Sequence, residues 1–139
     1  MIAMIYEIVI PGEPIAKKRP KFARRGAFVT VYDTQKKESE AIQVYLRSQW
    51  HHRPLETPLE IEIVFYMPIP ASWSKKRKEA ALKSEKHIAK PDLDNAIKKY
   101  FDDMNEIVYA DDRQIYKVTA EKKYDLNPRT EIKIIAFNH

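Results

Sequence analysis

Four carboxylates near the end of the chain fall in two tight pairs. Asp92 and Asp94 stand in Lys90-Pro91-Asp92-Leu93-Asp94-Asn95, and the second pair opens Asp111-Asp112-Arg113-Gln114. The surrounding protein is basic, with 25 Lys and Arg against 20 Asp and Glu and a formal net charge of +5 over 139 residues. Acidic residues gathered in a basic chain suit a divalent cation facing a polyanion. Mg²⁺ is held by one or two carboxylates plus water and substrate phosphate. The chemistry this pattern offers is metal-assisted hydrolysis of a nucleic-acid phosphodiester.

The elements around the carboxylates must position them. After Pro91, the residues Leu93, Ala96, Ile97, Tyr100, Phe101 and Met104 recur at i, i+3, i+4, i+7, i+8 and i+11, the buried stripe of an amphipathic helix. Asp92 and Asp94 cannot share a face if both are helical, since two residues advance a helix by about 200°. In an extended entry they point the same way. The helix is therefore predicted to start at or near Asp94, with Asp92 just outside. Asp94 and Lys98 are then i, i+4 neighbours, so the amine can lie beside the carboxylate.

Reach decides whether the second pair can join the first. A helix from Asp94 to Met104 spans roughly 15 Å. The seven residues Asn105 to Asp111 cover up to about 23 Å when extended. If Ile107 to Ala110 run back along the helix, the Asp111–Asp112 pair returns to its N-terminal end, with one of the two entering the ion's shell. Against this stands a plainer reading, in which aspartate at a helix start is a cap and Asp-Asp before a strand is a turn.

Upstream, Tyr6 to Ile10 reads as a strand ended by Pro11-Gly12. Six of the nine residues from 17 to 25 are Lys or Arg: Lys17, Lys18, Arg19, Lys21, Arg24 and Arg25. Pro14 ahead of it and Pro20 within it keep this segment out of a helix and suggest a stiffened, phosphate-binding arm. A short strand or hairpin arm follows over Ala27 to Tyr32. Asp33 or Thr34 then caps a helix from Gln35 to Trp50 with Ala41, Ile42, Tyr45, Leu46 and Trp50 as its apolar stripe. Leu59 to Met67 alternates apolar and polar residues as a half-buried strand. Ser72 or Ser74 opens a charged helix through Lys83 carrying Lys75, Lys76, Arg77 and Lys78. A loop over Ser84 to Lys90 contains His87, placed where it can touch phosphate; His51, His52 and His139 read as surface residues. Two last strands, Arg113 to Tyr124 and Thr130 to Phe137, flank the turn at Asp125 to Pro128. Interleaved strands and helices without repeat or linker predict one α+β domain over 1–139, a mixed sheet with helices packed on it.

The chain is long enough to bury a core without disulfides, and with no cysteine it has neither thiolate catalysis nor a thiolate metal site. No apolar run approaches the ~20 residues that span a bilayer, and Met1 to Ile5 lacks the basic start of a signal peptide. The expectation is a soluble, cytoplasmic, nucleoid-associated protein with no membrane partner.

These residues resemble the RusA-type Holliday-junction resolvases, a family common in prophages. The likeness covers most of the chain. Its strongest element is Lys90-Pro91-Asp92-Leu93-Asp94-Asn95 with Lys98, followed by Tyr100-Phe101-Asp102-Asp103 and Tyr109-Ala110-Asp111-Asp112-Arg113-Gln114-Ile115. A weaker one is Ile10-Pro11-Gly12-Glu13-Pro14 with Lys17-Lys18-Arg19-Pro20. In one departure, Pro91 stands where some members carry arginine. The resemblance implies a small homodimer that cuts four-way DNA junctions symmetrically with Mg²⁺ or Mn²⁺, a hydrolase of DNA recombination and repair. Asp92, Asp94 and Asp112 resemble its metal-binding catalytic carboxylates, Lys98 its essential lysine and Asp111 a supporting acid. Branched DNA is the implied partner, with Lys17, Lys18, Arg19, Lys21, Arg24, Arg25, Lys75, Lys76, Arg77 and Lys90 as its contacts. Two other readings remain: a non-catalytic branched-DNA-binding or phage-assembly protein, and a flap or single-strand nuclease of broader specificity.

Overall fold

The computed structural model describes residues 2–18, 21–26, 28–32 and 34–138, and within 21–32 side chains only at Arg24, Gly26 and Val29. Its elements are β1 (Ala3–Pro11), β2 (Lys21–Arg25), β3 (Phe28–Tyr32), α1 (Lys36–Gln49), β4 (Leu59–Met67), α2 (Lys75–Lys83), α3 (Leu93–Met104), β5 (Ile115–Tyr124) and β6 (Arg129–Phe137). Four strands form one mixed sheet in the order β1-β6-β4-β5. β6 is antiparallel to both β1 and β4, and β5 is parallel to β4. The turn after β5 wraps the end of β4, where Asp125 N–H donates to Met67 O at 3.0 Å, so β4 lies between the two last strands.

Alternation puts Leu59, Ile61, Ile63, Phe65 and Met67 on the buried face of β4, as the sequence predicts, in one core with Ile132 and Ile134 of β6 and Ile8 of β1. Helices α1 and α3 cover that face. The Tyr100 and Phe65 rings meet at 5.5 Å between centroids. Gln49 of α1 clasps β1, its Oε1 accepting Val9 N–H at 2.9 Å and its Nε2 donating to Val9 O at 2.7 Å. The opposite sheet face carries ion pairs such as Lys133–Glu62 (3.6 Å) and is left to solvent. No helix among the described residues is long and apolar enough to cross a membrane.

Three expectations are corrected. The basic segment is not one arm: residues 17 and 18 lie in an irregular strap, and 21–25 pair with Phe28–Tyr32 as a separate two-stranded hairpin. The α1 N-cap is Gln35, whose side chain is buried and turned toward the strap, not Thr34; Asp33 lies outside the described residues. Within α1 only Ile42 and Leu46 are buried, with Trp50 just after it, while Ala41 and Tyr45 face solvent. One helix against a sheet edge needs a narrower stripe than the spacing alone suggests.

Candidate metal and nucleic-acid site

Asp92 is the N-cap of α3, with extended backbone (φ −65°, ψ 138°), and Asp94 lies in the first turn, as the spacing predicts. A capping aspartate ordinarily accepts a backbone N–H from the first turn. Asp92 does not, and its exposed carboxylate has no hydrogen bond or ion pair among the described residues. Asp94 is also exposed; its Oδ1 accepts the Asn95 N–H at 2.9 Å, leaving Oδ2 open. The turn ahead of Asp92 is held from β5: Lys122 Nζ donates to Ala89 O and Pro91 O, both at 2.8 Å. Nothing in local spacing marks Lys122, because the contact joins residues 31 apart. Beside Asp92 runs a groove of about 500 Å³, lined by Lys17 and Lys18 on one bank and Lys90 on the other.

The second pair stands at the other end of the helix. Asn105 caps the C-terminus of α3; its Oδ1 accepts Asp112 N–H at 2.9 Å and its Nδ2 donates to Asp112 Oδ2 at 3.4 Å. Asp111 is a working cap, taking Arg113 N–H at 2.9 Å while Gln114 Oε1 accepts Asp111 N–H at 2.8 Å. The plain reading of Asp111 as a turn residue is therefore the right one locally. The connection does not run back extended. Ile107 and Val108 N–H both return to Met104 O, and Glu106 turns through φ +69°. The 12 residues of α3 span roughly 18 Å at 1.5 Å per residue, with Asp92 at its N-terminal cap and Asp112 held on Asn105 at its C-terminal cap. No three acidic or histidine side chains among the described residues gather as a metal site.

Tyr109 fills the angle behind Asp112, fully buried, its hydroxyl donating to Phe101 O at 2.7 Å. Burial first, then the charges of Asp112, Asp102, Asp103 and Asp111, push its pKa far above the ordinary value. An asparagine just past the last apolar residue is a helix-stop signal, so Asn105 was findable in the sequence.

Of the candidate cations, Lys98 is exposed and makes no ion pair with Asp94. Its neighbour Lys99, which the spacing did not single out, is only 1 % exposed and faces Asp103 Oδ2 at 3.0 Å, off the hydrogen-bond axis, while donating to Ser39 Oγ of α1. Lys17 is paired with Asp102 at 3.2 Å. Arg77 lies over the Trp73 ring at 3.5 Å and pairs with Glu85 at 3.4 Å, so the Arg77 charge is largely committed. Lys18, Arg24, Lys75, Lys76 and Lys90 are exposed. Arg19 and the side chains of Lys21 and Arg25 lie outside the described residues. His87 is buried against Tyr124, ring centroids 4.8 Å apart. Burial and then the Lys122 charge lower its pKa, so at neutral pH it is an uncharged ring and offers phosphate no cation.

Across 134 residues the chain is 34% identical to the "Uncharacterized protein YqaN" of Bacillus subtilis (strain 168), covering 92% of this chain and 94% of that protein. The family described as Endodeoxyribonuclease RusA matches residues 11–135, which run from the end of β1 into β6. The chain belongs to the RusA endodeoxyribonuclease family.

Proposed function

We propose that the protein is a divalent-metal-dependent endodeoxyribonuclease that resolves four-way DNA junctions by paired cuts, working as a homodimer. The observation that carries this reading is the Asp92 carboxylate, exposed and unused as a cap beside a lysine-lined groove. Carboxylate oxygens are the hard donors Mg²⁺ and Mn²⁺ take. Asp92 with the open oxygen of Asp94 fits part of such a shell, and Asp112, held beyond the far end of α3, does not complete it within one chain. When bound, the ion supplies an activated water and polarises the scissile phosphate. Lys98, one helical turn beyond Asp94, stabilises negative charge on the phosphate or leaving oxygen.

A second copy supplies the missing carboxylate. The flank of α3 turned away from α1 carries Leu93, Ile97 and Phe101, only partly buried, and the adjacent β5 edge exposes Tyr116 (62%) and Val118 (43%). A two-fold axis across this apolar strip, near the middle of α3, sets each helix N-terminus against its mate's C-terminus. Asp92 and Asp94 of one copy then meet Asp112 of the other, and two such sites face the two opposed strands of a junction.

Mixing inactive subunits tests this. Asp92→Asn and Asp112→Asn proteins are each expected to lose cleavage of labelled junctions in Mg²⁺ while still binding them in metal-free buffer. Co-refolded together, they form heterodimers with one intact shared site, which nicks one strand of the junction. A mixture as dead as its parents places the site within a single chain; either variant cutting at the wild-type rate removes that residue from it. Lys98→Ala is expected to lose about 10²–10³-fold in single-turnover rate with an unchanged melt.

A further inference from the structure

The strap from Pro14 to Lys18 is fastened at almost every residue. Ile15 N–H donates to Tyr100 Oη at 3.2 Å, and Lys17 N–H to Asn95 O at 2.9 Å. Gln35 grips it twice, Oε1 accepting Lys18 N–H and Nε2 donating to Ala16 O, both at 2.8 Å. Such two-point pairing by one buried amide imitates a strand neighbour and fixes backbone that a solvated loop leaves to water. Gln35 gives up helix capping to do this, since no side-chain cap bond is made at the start of α1.

The fastening fixes where lysines stand. Lys17 is spent on Asp102, whereas Lys18, and Lys90 across the groove, are exposed with no ion pair among the described residues. Asp92 and Glu38 also line their groove, and no aromatic ring among the described residues does. Without a ring to stack a base on, cations on two banks suit a sugar-phosphate backbone instead.

Resting on the nuclease reading above, we infer that this groove is the track for the DNA strand next to the scissile phosphate. Lys18 and Lys90 are its phosphate ligands, and Gln35 is the positioning residue that aims Lys18. Glu38 opposes the strand within the same groove.

The test is binding of labelled four-way junction in EDTA, titrated with salt, so that no metal or turnover enters. Lys18→Gln and Lys90→Gln are each expected to lower the slope of log K against log salt by about 0.9, one phosphate contact on duplex DNA. Gln35→Leu, with Lys18 intact, is expected to lower it as much as Lys18→Gln, and the double variant no further. Glu38→Gln is expected to tighten binding. A merely structural Gln35 shifts the melt and leaves the slope; that result, or additive losses in the double variant, overturns the positioning role. An unchanged slope in Lys18→Gln and Lys90→Gln removes the groove from the interface. Where Gln35→Leu fails to fold, Gln35→Glu keeps the acceptor for Lys18 N–H, loses the donor to Ala16, and is read in the same way. A wild-type protein that binds junction no better than linear duplex overturns the function reading alone, because the groove is then judged by the same slopes on duplex.

Discussion

At the N-terminal end of α3 an aspartate occupies the cap position and does no capping, while beyond the C-terminal end another aspartate caps a single turn with a full reciprocal box. Asp92 leaves its carboxylate to solvent beside lysines, and Asp94 keeps one oxygen open. Asp111 and Asp112 are tied to Arg113, Gln114 and Asn105, against a buried tyrosine. The same residue type thus leaves acceptors open at one end and is hydrogen-bonded into local structure at the other. What separates them is whether each carboxylate's hydrogen-bonding capacity is already used. Cation binding draws on unused acceptors, and a capped carboxylate has fewer to give.

Three measurements sharpen or break this contrast. The largest effect is expected from Asn105→Ala, which strips both contacts from Asp112 and costs roughly 1–3 kcal/mol. On the proposal that Asp112 is a metal ligand, it is also expected to cost about 10–100-fold in cleavage. A thermal melt reads the first at roughly 4 °C per kcal/mol for a chain of this size. If melt and rate both hold, Asn105 does not position Asp112.

Tyr109→Phe comes next, losing the bond to Phe101 O at about 0.5–1.5 kcal/mol near neutral pH. Its pH dependence follows from the raised pKa. The folded state holds the phenolic proton more tightly than the unfolded chain, so stability is full below the ordinary value of 10.0 and falls as pH climbs from there toward the folded pKa. The variant is expected to lose part of this alkaline fall, with Tyr100 and Tyr124, also shifted upward, supplying the rest. Urea melts of both proteins from pH 8 upward compare the limbs; identical slopes contradict the burial and carboxylate crowding that raise it.

The smallest effects compare the two caps directly. Asp111→Ala is expected to cost about 1 kcal/mol, the usual loss of a working cap. Asp92→Ala loses only a charge near the helix start, at most about 0.5 kcal/mol at ordinary salt. Equal losses in paired urea melts would show Asp92 to be an ordinary cap after all.

Much of the fold was readable because its signals are local. The period of two in Leu59 to Met67 placed β4 to the residue, and the 3.6-residue stripe after Pro91 placed α3 with Asp92 outside and Asp94 inside. Lys99 escaped because that stripe counts apolar residues. Its ammonium is buried only because α1 packs on that flank and Asp103 answers it. Gln35 escaped because its partners belong to a strap 17 and 19 residues earlier, which no local pattern connects to a helix start.

By itself, the sequence determined which carboxylates stand at the start of a helix, that lysines gather upstream, and that one sheet carries helices over its apolar face. Side-chain periodicity and backbone propensity act over a few residues, so they are written in the order of the chain. Only the tertiary structure decided where Asp112 goes. Extended, the seven residues after Met104 have the reach to bring it back to Asp92. Instead, Leu55 pairs with Val108 and Ala110, and the chain coils at Glu106. Buried backbone groups must find partners, and the partner here lies more than fifty residues away. That pairing leaves Asp112 at the far end of α3.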